Sequence, residues 1–552
     1  MNRLKILALI GLLVIVANAC TDLAVTNLND PDRQRAIQTP GDVESLISGS
    51  FNSFFWGYQG SYPVCPLGVA ANSHASSWGN WGMKDSRWEP RIAFDNDPSY
   101  SYSGVAESPW GNNYSALAGA RDGLAALAEG LTIDDGGTDV TQRAVFFGKF
   151  VQGLALANLA RLYDQAFIID ENTDLANIEL VPATQMFQAG MQKLDEAQQI
   201  AASNTFTVPD PWMGYGGAWD SSDLVNLVKA FKVRFTIQMP RNVADRGAVD
   251  WNWVLTTLSD GLTKEYVNYY DDINWGWHRA KQQCGGRQSG WVRIDMRTIG
   301  PSDVSGAWET WINQADPWDK EPFEIVTPDS RITEPYQPQT DGKYIEFLGT
   351  SPFPKSRGSW TWSHYIDNRF NVPTWVGTYP DFVDAEVDFI RAEAWYRLGQ
   401  FDNVREVVNQ YRANGDLPPF VTNQNPDTPD VCVPQNRDGT CGDLWEALKY
   451  EKRIENYHYG SASEFMDDRG WGDLESGTWL ELPVPGEELL LLLMDIYSFG
   501  GNLGNAAPVS TQDYFTSFVS DFSPEALSFK RQALDARLKA LNVRPDEVGP
   551  VR

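Results

Sequence analysis

Tryptophan is the residue type whose placement most suggests chemistry in this chain. There are 22 of them, and two groups sit in stretches without helical or strand periodicity. Trp78, Trp81 and Trp88 form one group; Trp275, Trp277 and Trp291 form the other. An indole ring is flat and electron-rich and has few rotors, so it stacks well on the C–H faces of a sugar ring. Tryptophans in Gly-rich loops are poorly placed to fill a helical core, although such rings also serve to pack loops onto a frame. The second group is interleaved with cations. Between Trp277 and Arg297 lie Arg279, Lys281, Arg287, Arg293 and Arg297, against one acid, Asp295. Arginine grips hydroxyls and carboxylates through its planar fork; the same cations can instead neutralise neighbouring carboxylates. Trp78, Trp81, Trp88, Trp275, Trp277, Arg279, Arg287 and Trp291 are therefore the candidate ligand-binding set.

Signals for catalysis are sparse. The histidines are His74, His278, His364 and His458, and there is no HExxH, no GxSxG elbow, no P-loop and no GxGxxG opening a helix. A glycosidase needs only two acids at the correct separation, and Asp271, Asp272, Asp467 and Asp468 would be the first to test. Glu451, Arg453, Glu455 and Arg469 could be mistaken for catalytic residues, but Glu451 and Glu455 share a helix face, and ion pairing and hydrogen bonding between helices is the reading preferred here. No catalytic residue, cofactor or metal site is expected; paired CxxC knuckles are absent.

The elements that would position the tryptophans are helical. Asp384 to Asp416 reads as a helical hairpin. Val387, Ile390, Ala394 and Leu398 share one face, Gly399 stands where a left-handed residue ends a helix, and Phe401, Val404, Val408 and Tyr411 repeat the stripe. Two further pairs are predicted: Gln142–Tyr163 with Thr184–Ala202, and Asp223–Met239 with Trp251–Leu262. One hairpin cannot bury its own apolar face, so the three imply a stacked array. Helices are also predicted from Thr39 to Phe51, Tyr114 to Leu131, Cys441 to Tyr459, Gln512 to Val519 and Pro524 to Leu541. Tyr58 to Trp110 reads as long loops, Leu489 to Met494 as a short buried segment. The expected organisation is mainly α. Residues 39–552 form one domain, with a helical scaffold over about 39–268 and 377–552 and an irregular, loop-rich insertion over about 269–376.

The formal net charge is −29. Such a surface repels phosphate backbones and anionic headgroups, so nucleic acid is excluded as a partner. Residues 1–19 have the form of a signal peptide: Arg3 and Lys5, an apolar run from Ile6 to Val16 too short to span a bilayer comfortably, then Ala17-Asn18-Ala19 before Cys20. Cys20 after a small residue resembles a bacterial lipoprotein box, which makes Cys20 the lipidation site and residues 20–38 a polar tether. The alternative is plain secretion with a free thiol. Of the other cysteines, Cys432 and Cys441 flank a Pro/Asn/Asp/Gly loop and are expected to form a local disulfide. Cys65 and Cys284 are open between a second bridge and two reduced core thiols.

The hairpin text Ala392-Glu393-Ala394-Trp395-Tyr396-Arg397-Leu398-Gly399-Gln400-Phe401-Asp402 resembles a tetratricopeptide repeat core. Three stretches, in order, resemble the SusD/RagB family of surface-exposed nutrient-binding lipoproteins. The first runs from Phe389-Ile390-Arg391-Ala392-Glu393-Ala394-Trp395 to Asn409-Gln410-Tyr411-Arg412. The second is Glu451-Lys452-Arg453-Ile454-Glu455, then Gly460, then Phe465-Met466-Asp467-Asp468-Arg469-Gly470-Trp471-Gly472. The third is Leu482-Pro483-Val484-Pro485-Gly486-Glu487-Glu488. Tyr459 stands in place of the usual glutamate before Gly460, Gly470 intrudes between arginine and tryptophan, and the chain continues well past the third motif, so this would be a divergent branch. The resemblance implies a scaffold of tetratricopeptide-like pairs, with Glu393, Asn409, Arg412, Glu451, Arg453, Glu455, Asp468 and Arg469 as structural motif residues. It also implies a partner, a SusC-like TonB-dependent outer-membrane barrel transporter, and an oligosaccharide or peptide ligand. A secreted glycosidase and a protein-binding tetratricopeptide scaffold are the competing readings.

Overall fold

A computed structural model describes residues 39–76, 79–214, 216–271, 284–285, 291–350, 363–369, 376–424, 431–504 and 509–510. The body is mainly helical. Its scaffold helices are α1 (Pro40–Gln59), α2 (Ser61–Ala70), α3 (Gly104–Ala128), α4 (Thr141–Leu162), α5 (Ala183–Ser203), α6 (Ser221–Gln238), α7 (Trp251–Thr257), α8 (Asp384–Arg397), α9 (Phe401–Arg412), α10 (Leu444–Glu455), α11 (Ser463–Trp471) and α12 (Gly486–Leu491). The strands that matter to the site are β1 (His74–Ala75), β2 (Tyr266–Tyr270), β3 (Arg293–Ile294), β4 (Ile345–Phe347), β5 (Tyr365–Asp367), β6 (Gly377–Phe382), β7 (Tyr497–Ser498) and β8 (Val509–Ser510). All of them form two-stranded antiparallel ribbons.

Local chemistry sets the helix starts. Thr39 caps α1, its hydroxyl accepting from the Asp42 amide, with Pro40 in the first turn, where its missing N–H costs nothing. From α1, Phe51 and Tyr58 reach α4 and α6, where Phe51 meets Phe147 and Phe150, and Tyr58 meets Phe231 and Phe235. Helix α4 is buried along nearly its whole length, between α3 and α5. Two glycines allow α4 and α5 to approach closely. A Cβ on Gly153 would lie 2.6 Å from Leu194 Cγ, and one on Gly190 would lie 2.8 Å from the Ala157 amide nitrogen.

Pairs α4–α5 and α8–α9 stand as their stripes predict, with ends shifted by one to three residues. Other expectations need correction. The stretch read as loops contains α2 and the start of α3, ten residues ahead of the predicted Tyr114. Prolines Pro63, Pro66 and Pro109 hid both, although proline is tolerated near a helix start. Helices α1 and α3 make an unpredicted pair. Helix α7 packs more on α8 than on α6, so sequence adjacency misassigned that hairpin. Residues 512–519 and 524–541 lie outside the described residues, as do 1–38.

Residues 294–365 organise their own apolar cluster around Ile294, Ile299, Trp308, Trp311, Ile332, Ile345 and Tyr365. Tyr450, Ile454 and Tyr457, on or just after α10, complete it and tie it to the scaffold. Both disulfides are formed, Cys65–Cys284 and Cys432–Cys441, with Cα atoms 5.5 and 5.3 Å apart.

The Leu482–Glu488 stretch is clamped where several elements meet. Asn96 donates to Val484 O, and its Oδ1 accepts from the Gly486 amide. The Tyr497 hydroxyl accepts from the Val484 amide and donates to Asp164, just past α4, at 2.8 Å. Burial pushes the Asp164 carboxyl up to about 7 against that hydrogen bond, which favours the charged form. The folded state thus holds this proton where the unfolded chain has lost it, and the group's contribution to stability falls as pH rises from about 4 to about 7. Asp164→Asn removes the charge and keeps a polar partner for Tyr497. Relative to wild type, its melting temperature is expected to rise between pH 5 and pH 8. A difference independent of pH, in parallel thermal melts, would show that the carboxyl does not titrate in this window.

Candidate functional site

Trp81 of the first tryptophan group and Trp291 of the second meet at one corner. Strand β1 pairs with β3, placing His74 opposite Ile294 and Ala75 opposite Arg293. Just beyond, Ser76 Oγ donates to Trp291 O at 2.7 Å. The Cys65–Cys284 bridge fastens the same region to α2. Cys65, Val69, Trp81, Met83, Cys284 and Val292 form a small apolar cluster, with Trp291 and Tyr62 packed against it and partly open to solvent. The Trp81 and Trp291 rings lie 4.6 Å apart. Trp81 and Gly82 both take left-handed backbone angles, φ 54° and 70°. At Gly82 a Cβ would fall 2.8 Å from Val105, so only glycine fits. Trp88 is half-buried, with the Lys84 ammonium 5.1 Å from its ring centre. Tyr100 and Tyr102, half-exposed, face each other edge-on at 5.7 Å, and the Tyr100 hydroxyl donates to Asp85.

This arrangement corrects the candidate set at Trp81. It is only 8% exposed. A stacking platform needs an open face, and Trp81 instead backs Trp291 from below. Trp291 and Trp88 keep exposed surface. Trp78, Trp275, Trp277, Arg279 and Arg287 lie outside the described residues.

The cations beside it divide by partner. Arg87 is fully buried and pairs with Asp295 at 3.0 Å and with Glu89. Arg297 pairs with Glu89 at 2.9 Å and Glu475 at 3.1 Å. These two arginines neutralise carboxylates. Arg293 differs: it donates to the carbonyls of Thr350 and Val292, and burial lowers its pKa to about 10, leaving it cationic at neutral pH. Among the described residues no group of three or more His, Cys, Asp or Glu side chains is disposed to hold a metal ion.

The motif residues lie elsewhere, most of them in ion-pair hubs. Arg331, from the 294–365 region, donates to both oxygens of Asp329 and to Glu451 and Glu455 of α10, the last two at 2.7 Å. Burial disfavours this cation, and Asp329 and Glu451 more than offset that. Arg412 donates to Pro418 O, Val433 O and Glu451. Glu393 takes a two-pronged contact from Arg246 and one bond from the Trp471 indole. Burial works to raise the Glu393 carboxyl, and Arg246 overcomes it, holding it at about 2. Arg453 pairs with Asp468 and Asp473, and Arg469 donates to the carbonyls of Arg161, Gln238 and Leu480. Asn409 exchanges two hydrogen bonds with the Phe420 backbone and so closes the turn after α9. Of the acids a glycosidase would recruit, Asp467 is bound by Arg246 and Lys452, and Asp468 by Arg453. Arg331, Arg246 and Arg234, the last pairing with Asp381 and Glu386, are hub residues that the sequence did not single out. Apart from Asp329, two residues from Arg331, their carboxylate partners lie 120 to 221 residues away, beyond any local signal.

No protein-family description matches the sequence, and no curated protein matches it. Solved structures do match. A SusD superfamily protein from Bacteroides vulgatus superposes with a TM-score of 0.51 at 13% identity, over 83% of this chain and 98% of that one. A SusD-like carbohydrate-binding protein from Bacteroides fragilis gives 0.50 at 13% identity, over 89% and 93%. A SusD homolog from Bacteroides thetaiotaomicron gives 0.50 at 11% identity, over 80% and 88%. The chain has the SusD-like fold.

Proposed function

We propose that the chain is a divergent member of the SusD/RagB family: a non-catalytic, lipid-anchored surface protein that binds an oligomeric nutrient, a glycan. It passes this ligand to a TonB-dependent outer-membrane transporter. The observation that carries the reading is the meeting of two distant tryptophan-bearing stretches, at Trp81 and Trp291, on a SusD-like fold. Support also comes from the three motifs in order and from Cys20 behind a signal-like leader. Among the described residues no helix is long and apolar enough to cross a membrane; attachment rests on the lipid at Cys20. Release into a channel must follow capture, so affinity is expected to be modest, with fast dissociation. The Asp467 and Asp468 pairings favour binding over glycoside hydrolysis, since Asp467 is held by the buried Arg246 and Lys452 and Asp468 by the half-buried Arg453.

Calorimetry against oligosaccharides and peptides tests this. A glycan is expected to bind, and Trp291→Ala to weaken it by about 2 kcal/mol, roughly 30-fold, the scale of a central aromatic anchor. Folded protein that binds nothing in the panel would overturn the reading. Binding indifferent to both Trp291→Ala and Trp88→Ala would move the site away from this corner, and binding confined to peptides would replace the ligand class.

A further inference from the structure

Helix α12 runs into the most exposed apolar run among the described residues. Leu489 is buried, but Leu490, Leu491, Leu492, Leu493 and Met494 are all exposed, Leu493 by 79%. The sequence alone suggests a buried segment here, so this is a correction: the run is exposed from Leu490 on, and Leu493 takes a left-handed conformation, φ 57°. Five consecutive exposed apolar residues are rare on a free surface and mark a contact. Half-exposed Glu487 and Glu488 and exposed Asp495 rim the patch with negative charge.

We propose that the chain's own C-terminal segment covers this patch, through the apolar stripe of residues 524–541. Three observations select that occupant. The first is where the described chain ends. Strand β8 pairs with β7, placing Ser510 opposite Tyr497, three residues past Met494. Residues 511–552 therefore begin beside the patch. A connector of residues 511–523 has a root-mean-square reach of about 20 Å if it behaves as a flexible coil, and such tethering holds the two surfaces at roughly millimolar effective concentration. The second is pattern. At helical spacing, Leu527, Leu534, Leu538 and Leu541 fall on one narrow face. The third is charge. In a chain of net charge −29, residues 524–541 carry Lys530, Arg531, Arg537 and Lys539 against Glu525 and Asp535. Lys530 and Arg531 border the leucine face and would meet the acids at the rim. A lipid surface suits the patch less well, because those acids and the acidic body repel anionic headgroups.

Paired cysteines in the full chain, with Cys20 replaced by serine, test this. Leu493→Cys with Leu538→Cys is expected to form an intramolecular disulfide under mild oxidation, at least tenfold faster than Leu493→Cys with Gln532→Cys, which lies off the apolar face. Peptide mapping identifies the link. Hydrogen exchange is expected to show residues 524–541 protected in wild type and deprotected in Leu493→Asp, which adds only an exposed charge and leaves the core intact. A link found solely between two chains assigns the patch to a second copy and overturns the proposal. Equal linking of both pairs, or exchange unchanged by Leu493→Asp, overturns it too. So does vesicle partitioning that Leu493→Asp abolishes while no link forms, which assigns the patch to lipid.

Discussion

Arg331→Met is expected to destabilise the protein by about 3–5 kcal/mol at neutral pH, because removing one partner of a buried ion cluster strands the others. Asp329 and Glu451 are fully buried and Glu455 nearly so. Without the guanidinium, Glu451 would retain Arg412 at 3.4 Å and Asp329 the Tyr450 hydroxyl at 2.7 Å. Neither replaces a shared cation. The stranded carboxyls would hold protons in the folded variant that the unfolded chain has released. Their carboxyl pKa values would then lie above the unfolded ones, and the variant's stability should fall further as pH rises from about 5 to 8. Denaturant titrations of wild type and variant at both ends of that range give the answer. The exposed pair Lys343–Asp416 provides a baseline, since Lys343→Ala should cost less than about 1 kcal/mol. A loss for Arg331→Met no larger than that baseline would mean that the hub does not hold the 294–365 region to the scaffold.

The second large effect concerns the long-range disulfide. Cys65 and Cys284 are 219 residues apart, Cys432 and Cys441 only nine. In the chain-entropy description a bridge stabilises by restricting the unfolded state, so replacing the first pair by serine is expected to cost about 5 kcal/mol and the second about 3. The first substitution also loosens the corner that holds Trp291, because Cys65 and Cys284 belong to its supporting cluster. It should therefore weaken ligand as well as lower the guanidinium midpoint, whereas Cys432→Ser with Cys441→Ser should affect the midpoint alone. Equal midpoints for the two double variants would refute the loop-length argument. Unchanged affinity in the first would refute the structural link to the site.

Much of the scaffold is legible because helix formation is a local matter. The stripes on α4, α5, α8 and α9 repeat every three to four residues, and Thr39-Pro40 and Gly399 punctuate helix ends, so their positions follow from neighbours in the sequence. Helix α2 was obscured because Pro63, Pro66 and Gly68 lower its propensity, while its residues from Pro63 onward are buried and held by tertiary packing. The candidate site was legible as residue types, indoles among glycines, but not as a surface. Whether a given ring is open depends on what packs on it: Trp81 is covered, while Trp291 is partly open.

From the sequence by itself come the leader-like N-terminus, the paired helices, the acidic balance and the tryptophan-rich interruptions, since each rests on composition or on spacings of a few residues. Only the tertiary structure decided that Trp81 and Trp291 share one corner, that Arg331 binds Glu451 and Glu455, and that Leu490 to Met494 face outward. Those outcomes depend on contacts between residues far apart in the chain, and burial and ion pairing at such distances leave no periodic trace along it.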